Sequence, residues 1–371
     1  MIGWSIIVFI IILGLLVIVH ELGHFLLAKL FRVGVDEFGI GFPPRLTGWK
    51  LGQTLYSINW IPIGGFVKIK GVVGGDQMDS PTHTGHTQPS SDDFASRPLW
   101  QRFCILVGGI VMNIVLAAVL FSSGYMIGLP TSVTAAPSNA VITERSLVVV
   151  DVPVNVPAAN EGLQPGDIIR SLNGQTISTL ADLQAALAKS TLQSQLTLAV
   201  ERQAETITEL TITPTTLTES DTIGIGAYFV ETGLVRLPFF TAIWFGTTQA
   251  VHLTWQILLA LIQMIAQLFT GQGVSGQLAG PLGIASLTHQ ATLLGVAYII
   301  QFAAVLSINL AIFNLLPFPA LDGGRILFLG IELVLRRPLN QRAEAIIHNI
   351  GFIVLLLLIL GVTVKDVFNL F

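Results

Sequence analysis

Charge is what this chain has least of. Asp, Glu, Lys and Arg together make up 11% of its 371 residues, against about 25% in a typical soluble domain. With 52% hydrophobic residues and a mean hydropathy of +0.74, there is too little polar surface to cover an ordinary water-soluble globule. The net charge of −4 is small and dispersed, and no basic face is present to attract nucleic acid. Cysteine is almost absent. Cys104 stands alone inside a hydrophobic segment, so an intramolecular disulfide is excluded. Residues 2–19 carry no charged side chain, yet they lack the basic flank and small-residue cleavage site of a signal peptide. They read as a retained membrane span.

What that span does contain is His20-Glu21-Leu22-Gly23-His24 at its end. On a helix, positions i and i+4 share a face, so both imidazoles can reach one metal ion. Glu21, one step round, is placed to take a proton from a water held there. This H-E-x-x-H spacing is that of zinc-dependent hydrolases. A charged residue at the centre of a membrane helix costs about 2.5 to 3.5 kcal/mol, so such groups persist mainly where they pair or do chemistry.

Taken in order, the first span covers about residues 2–30. Lys29 and Arg32 follow it at once, which puts its C-terminal end on the cytoplasmic side. Residues 55–69 read as a strand, a turn at Pro62 and Gly64-Gly65, and a second strand. Residues 71–96 are polar and read as a flexible loop; its histidines His83 and His86 are set aside as solvated. The second span covers about residues 100–129. Its Gly108-Gly109 pair suggests close packing on the first span, and Asn113 reads as part of that packing, with a place in the active site as the alternative.

From Pro130 to Pro238 the composition turns soluble. Strand-like runs occur at 147–154, 195–201 and 207–213, with a helical pattern at 180–188. Gly162-Leu163-Gln164-Pro165-Gly166-Asp167 and Asn173-Gly174 mark turns. This block resembles a PDZ domain of the kind found in bacterial proteases, a module that takes extended peptides onto a sheet edge; a spacer without ligand is the alternative. Residues 239–270 are uncharged but for His252, with Thr241, Thr248, His252, Gln256, Gln263, Gln267 and Thr270 on one helical arc, and suit an interfacial helix. A third span at about 293–316 ends in Asn314-Leu315-Leu316-Pro317-Phe318-Pro319-Ala320-Leu321-Asp322-Gly323-Gly324, where the prolines break the helix and Asp322 is expected to project freely. A last span covers about 345–364.

Catalytic zinc takes three protein ligands and leaves one position for water. Asp322 is the candidate for the third. Arg325, Arg336, Arg337 and Arg342 put it on the cytoplasmic side, as the first span's flank does for His20 and His24. The three can meet only if 239–270 lies on the outer surface, or dips into it, without crossing. Four spans satisfy that parity and five do not.

HELGH on a first span, Leu321-Asp322-Gly323 after a later one and a PDZ-like insert between the second and third spans together resemble the site-2 protease family. The similarity is to the bacterial type that cleaves membrane-embedded anti-sigma factors. It extends through Gly39–Gly41, Pro62–Phe66, Arg102–Asn113, Gly280–Ile284 and Asn309–Asp322. Gly41-Phe42-Pro43-Pro44 departs from it, with proline where glycine is usual. The resemblance implies a polytopic α-helical membrane protein of about four transmembrane helices, with a membrane-re-entrant β-hairpin and an inserted β-rich PDZ domain. The expected domains are 1–129 (two spans, HELGH and the hairpin), 130–238 (extracytoplasmic PDZ-like domain), 239–283 (interfacial helix and Gly-rich connector) and 284–371 (two spans and the Leu-Asp-Gly motif). It also implies a zinc metalloprotease of the bacterial inner membrane, active site toward the cytoplasm. Zn2+ would be held by His20, His24 and Asp322, with Glu21 as general base and Asn309 and Asn314 engaging substrate. The partners implied are single-pass transmembrane proteins already cut once elsewhere, within the lipid bilayer and without nucleic acid. A non-proteolytic PDZ scaffold or a metal transporter are the competing readings, and intact metal ligands at a single depth argue against both.

Overall fold

The computed structural model describes residues 2–72, 90–153, 156–188, 195–202, 206–217, 222–270 and 280–369. The loop histidines His83 and His86, and the connector at 271–279, lie outside them. In chain order the elements are α1 (Ile2–Leu30), β1 (Val35–Leu51), β2 (Thr54–Ile69), α2 (Leu99–Ile127), β3 (Leu129–Ser132), β4 (Val141–Asp151), α3 (Pro157–Asn160), β5 (Ile168–Leu172), β6 (Gln175–Thr176), α4 (Leu180–Ala188), β7 (Leu196–Arg202), β8 (Thr206–Ile212), β9 (Thr215–Leu217), β10 (Thr222–Gly224), β11 (Tyr228–Arg236), α5 (Phe239–Thr270), α6 (Pro281–Leu294), α7 (Val296–Leu315), α8 (Asp322–Leu335) and α9 (Gln341–Asn369). Five of the helices, α1, α2, α5, α7 and α9, are long and apolar enough to cross a membrane. The chain divides into two compact units.

The first unit comprises residues 1–121, 245–292 and 299–371. Its centre is a crossing of α1 and α2 that only glycine permits. A Cβ on Gly23 would stand 2.2 Å from the Gly108 carbonyl oxygen, and one on Gly108 would stand 2.8 Å from that of Gly23. Backbones therefore touch where side chains would normally hold them apart. Val8, Ile12 and Leu16 of α1 share a core with Leu116 and Leu120 of α2 and with Ile299, Phe302, Ala303, Leu306 and Leu310 of α7. Asn314 meets His20 further along, so α7 runs beside α1 in the same direction and α2 runs against both.

β1 pairs antiparallel with β2, and each strand bends into two limbs. Residues 37–40 sit between Leu55–Ile58 on one side and Gly65–Lys68 on the other, and Arg45–Leu51 pairs with Thr54–Asn59. The bends fall at Pro43-Pro44 and at Trp60–Gly64, where the proline ring removes a ladder donor. Gly64, at φ +87, and Gly65 bring the second limb onto Val17 and Ile18 of α1.

Three features depart from sequence expectation. Residues 55–69, expected as a strand, a turn and a second strand, form one bent strand whose two limbs flank residues 37–40 instead of pairing with each other. The span expected at about 293–316 is α7, and a separate helix not expected from sequence, α6, precedes it, divided from it at Gly295 with φ +108. Asp322 does not project from irregular backbone but opens helix α8. Ile326, Leu329 and Glu332 turn inward at a spacing of three, a helical period that the prolines before it obscured.

The second unit comprises residues 122–244 and 293–298. Its sheet runs β3-β11-β4-β5-β7-β8, with β6 on β5. Leu147, Val149, Ile169, Leu172, Leu183, Leu198, Val200 and Ile212 fill its core. Asn173 and Gly174, at φ +49 and +78, form the tight turn from β5 to β6. Asp167 is 1% exposed and accepts paired hydrogen bonds of 2.7 Å from Nε and Nη2 of Arg202, a bidentate pairing that pins the turn before β5. At the start of α4, the Thr179 hydroxyl accepts from the Asp182 N–H at 3.1 Å while the Asp182 carboxylate accepts from the Thr179 N–H at 3.0 Å. This reciprocal cap holds the Asp182 carboxyl below its usual pKa, chiefly through the Thr179 hydroxyl and then the Ser178 and Thr179 amides. The cap is thus complete at neutral pH and lost as the pH falls through that lowered value. Thr179→Ala should cost this unit about 1 kcal/mol, read as a shift in its denaturant midpoint.

Candidate metal centre

Three side chains from distant parts of the sequence converge in the first unit. His20 and His24 lie one turn apart on α1, both buried, and Asp322 reaches them from the first residue of α8. Nε2 of His20 is 3.0 Å from Asp322 Oδ2, Nε2 of His24 is 3.2 Å from the same oxygen, and the two nitrogens are 3.2 Å apart. Ligands at about 2.0 to 2.1 Å around a tetrahedral zinc stand about 3.3 Å from one another. The triangle is therefore the size one zinc ion requires.

The outer nitrogen of each histidine tests the fit. Nδ1–H of His24 donates to the Ile105 carbonyl at 2.8 Å, which leaves Nε2 as the lone-pair nitrogen facing the centre. Nδ1 of His20 lies 3.2 Å from the Asn113 amide, Nδ2 being the nearer atom. The Asn113 Oδ1 is buried with no hydrogen-bond partner among the described residues. The oxygen and nitrogen of an amide exchange places by a half-turn. With Oδ1 toward His20, Nδ1–H gains an acceptor, the orphan oxygen gains a donor, and Nε2 is freed for a metal. Space is kept open by Gly109, where a Cβ would stand 2.4 Å from His24 Nε2 and 2.8 Å from His20 Nε2. Donor set, tautomers and clearance all suit a zinc ion.

Glu21 lies next to this triangle with the Val67 backbone of β2 beside its carboxylate, so the hairpin reaches the centre through its second limb. Asn314 brings Nδ2 to 3.4 Å from His20 Nε2. Asn309, half-buried on α7, makes no hydrogen bond to the three donors. Asp322 is set by the glycines after it. A Cβ on Gly323 would stand 2.2 Å from the Leu316 oxygen, and one on Gly324 would stand 2.4 Å from that of Phe318. The Asp-Gly-Gly run thus lets α8 begin directly against the backbone it follows.

Sequence alone reads Gly109 as helix packing and Asn113 as packing with a place in the active site as the alternative. Their i, i+4 spacing matches that of His20 and His24, a signal that both face the same point.

The family model described as peptidase family M50 matches residues 8–358. The chain is 33% identical to the Regulator of sigma-W protease RasP of Bacillus subtilis over 99% of each chain. It is 32% identical to the Zinc metalloprotease RasP of Bacillus licheniformis over 99% of each, and 30% identical to the protein of that name from Geobacillus kaustophilus, over 98% of this chain and 97% of the other. Among solved structures, the PDZ domain of an SdrC-like protein from Listeria monocytogenes aligns with 24% of this chain and 92% of its own, at 20% identity and a TM-score of 0.22.

Proposed function

The chain belongs to peptidase family M50 and is a zinc metallopeptidase of the membrane, and on that premise we propose that it hydrolyses peptide bonds within transmembrane segments of other proteins. The observation that carries the reading is the convergence of His20, His24 and Asp322 at donor separations of 3.0 to 3.2 Å, with Glu21 adjoining. His20 and His24 would hold zinc from α1 and Asp322 would complete the set. Bound zinc would polarise a carbonyl and lower the pKa of a water to about 7. Glu21 takes the proton from the attacking water and passes it to the leaving amine nitrogen. Asn314, beside His20, offers its amide to the substrate backbone; Asn309 would engage the same strand farther out.

A transmembrane helix hides its peptide bonds in its own hydrogen bonds and must unwind before water can attack. Freed N–H and C=O groups cost several kcal/mol each in lipid. The hairpin limb ending at Ile69 offers an edge to receive them. Trp60, Ile61, Ile63 and Phe42 on this hairpin are exposed hydrophobics, as expected of a β element dipping into the bilayer.

Four spans remain our count. α7 runs with α1 and α2 runs against it, so the chain between α2 and α7 makes no net crossing. Leu237 N–H bonds to the Tyr125 carbonyl near the end of α2, so α5 starts there. α6 starts where Asp366 accepts from Gly283 N–H at 3.0 Å. Asp366 is 18 residues beyond His348 on α9, about 27 Å from the metal end. Both ends of the intervening segment are thus at the end of the bundle away from zinc, which supports α5 as a helix that lies on or dips into the outer surface. The basic flanks, Lys29, Arg32, Arg97 and Arg336 among them, support a site toward the cytoplasm, and the membrane would be the bacterial inner one. The PDZ-like residues 130–238 would then stand outside, admitting single-pass substrates already shortened by another protease; anti-sigma factors are the class of choice.

The test uses the full chain in lipid nanodiscs with a single-pass reporter. One zinc per chain by elemental analysis is expected, with cleavage inside the reporter's apolar segment, loss of activity on chelation and recovery with Zn2+. Cleavage at the normal rate by metal-stripped protein overturns the reading.

A further inference from the structure

Asp322 sits at the end of a turn with no regular structure of its own. Leu316 to Leu321 link α7 to α8, and the turn contains Ala320 at φ +84, a conformation that alanine seldom adopts. Something outside the turn must hold it there. From the α8 side, Gly323 and Gly324 let the helix seat directly on Leu316 and Phe318. The other hold comes from α9. Nδ1 of His348 accepts the Ala320 N–H at 2.9 Å, and one turn on Gly351 brings the helix so close that a Cβ there would stand 2.4 Å from Pro319 Cβ and 2.6 Å from its oxygen.

The imidazole is 5% exposed and packs against Phe328 of α8 at a ring separation of 5.4 Å. A backbone N–H can only donate, so Nδ1 is the acceptor and the ring proton is on Nε2. That nitrogen is buried without a hydrogen-bond partner among the described residues; Glu344 Oε1 stands 4.0 Å away. A histidine in an apolar helix with one nitrogen left unused is an odd choice for packing. It is an apt one if the single bond to Ala320 is its purpose.

We propose that His348 is a positioning residue for the Asp322 carboxylate, acting through the main-chain N–H of Ala320, with Gly351 setting the approach of α9. It does not touch the metal or the substrate. It fixes the conformation two residues before Asp322, and so the direction from which the carboxylate meets the two imidazoles. The inference rests on Asp322 being the third zinc ligand, as proposed above.

Asparagine and glutamine distinguish which nitrogen matters. Asn places its Oδ1 where His has Nδ1; Gln places its amide near Nε2. Apo-protein of each variant, full length in detergent, is titrated with Zn2+ against a chelator of known affinity, and Co2+ absorption reports ligand geometry. Partners that orient metal ligands typically contribute about 10- to 100-fold in affinity. His348→Ala and His348→Gln should therefore bind Zn2+ about 10- to 100-fold more weakly and alter the Co2+ spectrum, while His348→Asn stays within about threefold. In an Asp322→Ala background, His348→Ala should cause no additional loss, since it acts only through that carboxylate. Parent-like affinity in Ala and Gln, or an Asn variant as weak as Ala, overturns the proposal. If His348→Ala fails to fold, the Asn and Gln pair decides. An Asp322→Ala protein that binds Zn2+ as tightly as the parent removes the ligand assignment itself, a result distinct from failure of His348 alone.

Discussion

Glu21→Gln should leave the protein folded and loaded with one zinc per chain, yet reduce peptide cleavage by at least about a hundredfold and up to about ten thousandfold, the usual worth of a positioned general base. The substitution keeps the shape of the side chain, and its amide oxygen can still face the Val67 backbone beside it. His20, His24 and Asp322 are untouched. What is lost is one proton acceptor beside the attacking water. Single-turnover cleavage of the reporter helix, with zinc content measured on the same sample, separates this loss from loss of metal. A Gln variant that cuts at the parent rate would assign the base to another group.

Much of this centre could be read before any coordinates. HELGH points to a pair of metal-ligand candidates because two histidines at i and i+4 in an uncharged helix have little other reason to be there. Asp322 followed from counting basic flanks, and the structure brings it to the histidines from 302 positions away in sequence. The turn chemistry of Asn173-Gly174 and the strand runs of β7 and β8 were equally plain, since φ > 0 and period-2 alternation leave local marks. What stayed hidden is what depends on a partner from elsewhere. Nothing local in Gly109 says that its missing Cβ is room for a metal, and nothing local in His348 says that its acceptor is Ala320. Helix α8 was missed for a different reason: two prolines and two glycines just before and within its first turn are ordinarily helix breakers. Here they let the helix start abruptly on the backbone that precedes it.

Gly109→Ala is expected to abolish zinc binding although the change is a gain for an isolated helix. Replacing an interior glycine by alanine normally favours helix by up to about 1 kcal/mol, and α2 should accept the methyl as far as its own backbone is concerned. The obstacle lies opposite. The added Cβ would stand 2.4 Å from His24 Nε2, 2.7 Å from His20 Cε1 and 2.8 Å from His20 Nε2, distances at which carbon and nitrogen cannot coexist. Neither imidazole is free to turn aside. His24 is tied through Nδ1 to the Ile105 carbonyl and His20 meets the Asn113 amide. Relief must come from spreading the two histidines or from moving α2, and either opens the donor triangle beyond the span of one ion. Zinc should fall from one per chain to almost none, with cleavage lost in parallel and helical content by circular dichroism unchanged. Gly361→Ala on α9 is the matched control, because a Cβ there meets nothing within 4 Å, and it should keep both zinc and activity. A fully loaded Gly109→Ala protein would mean that the ion does not sit between these histidines.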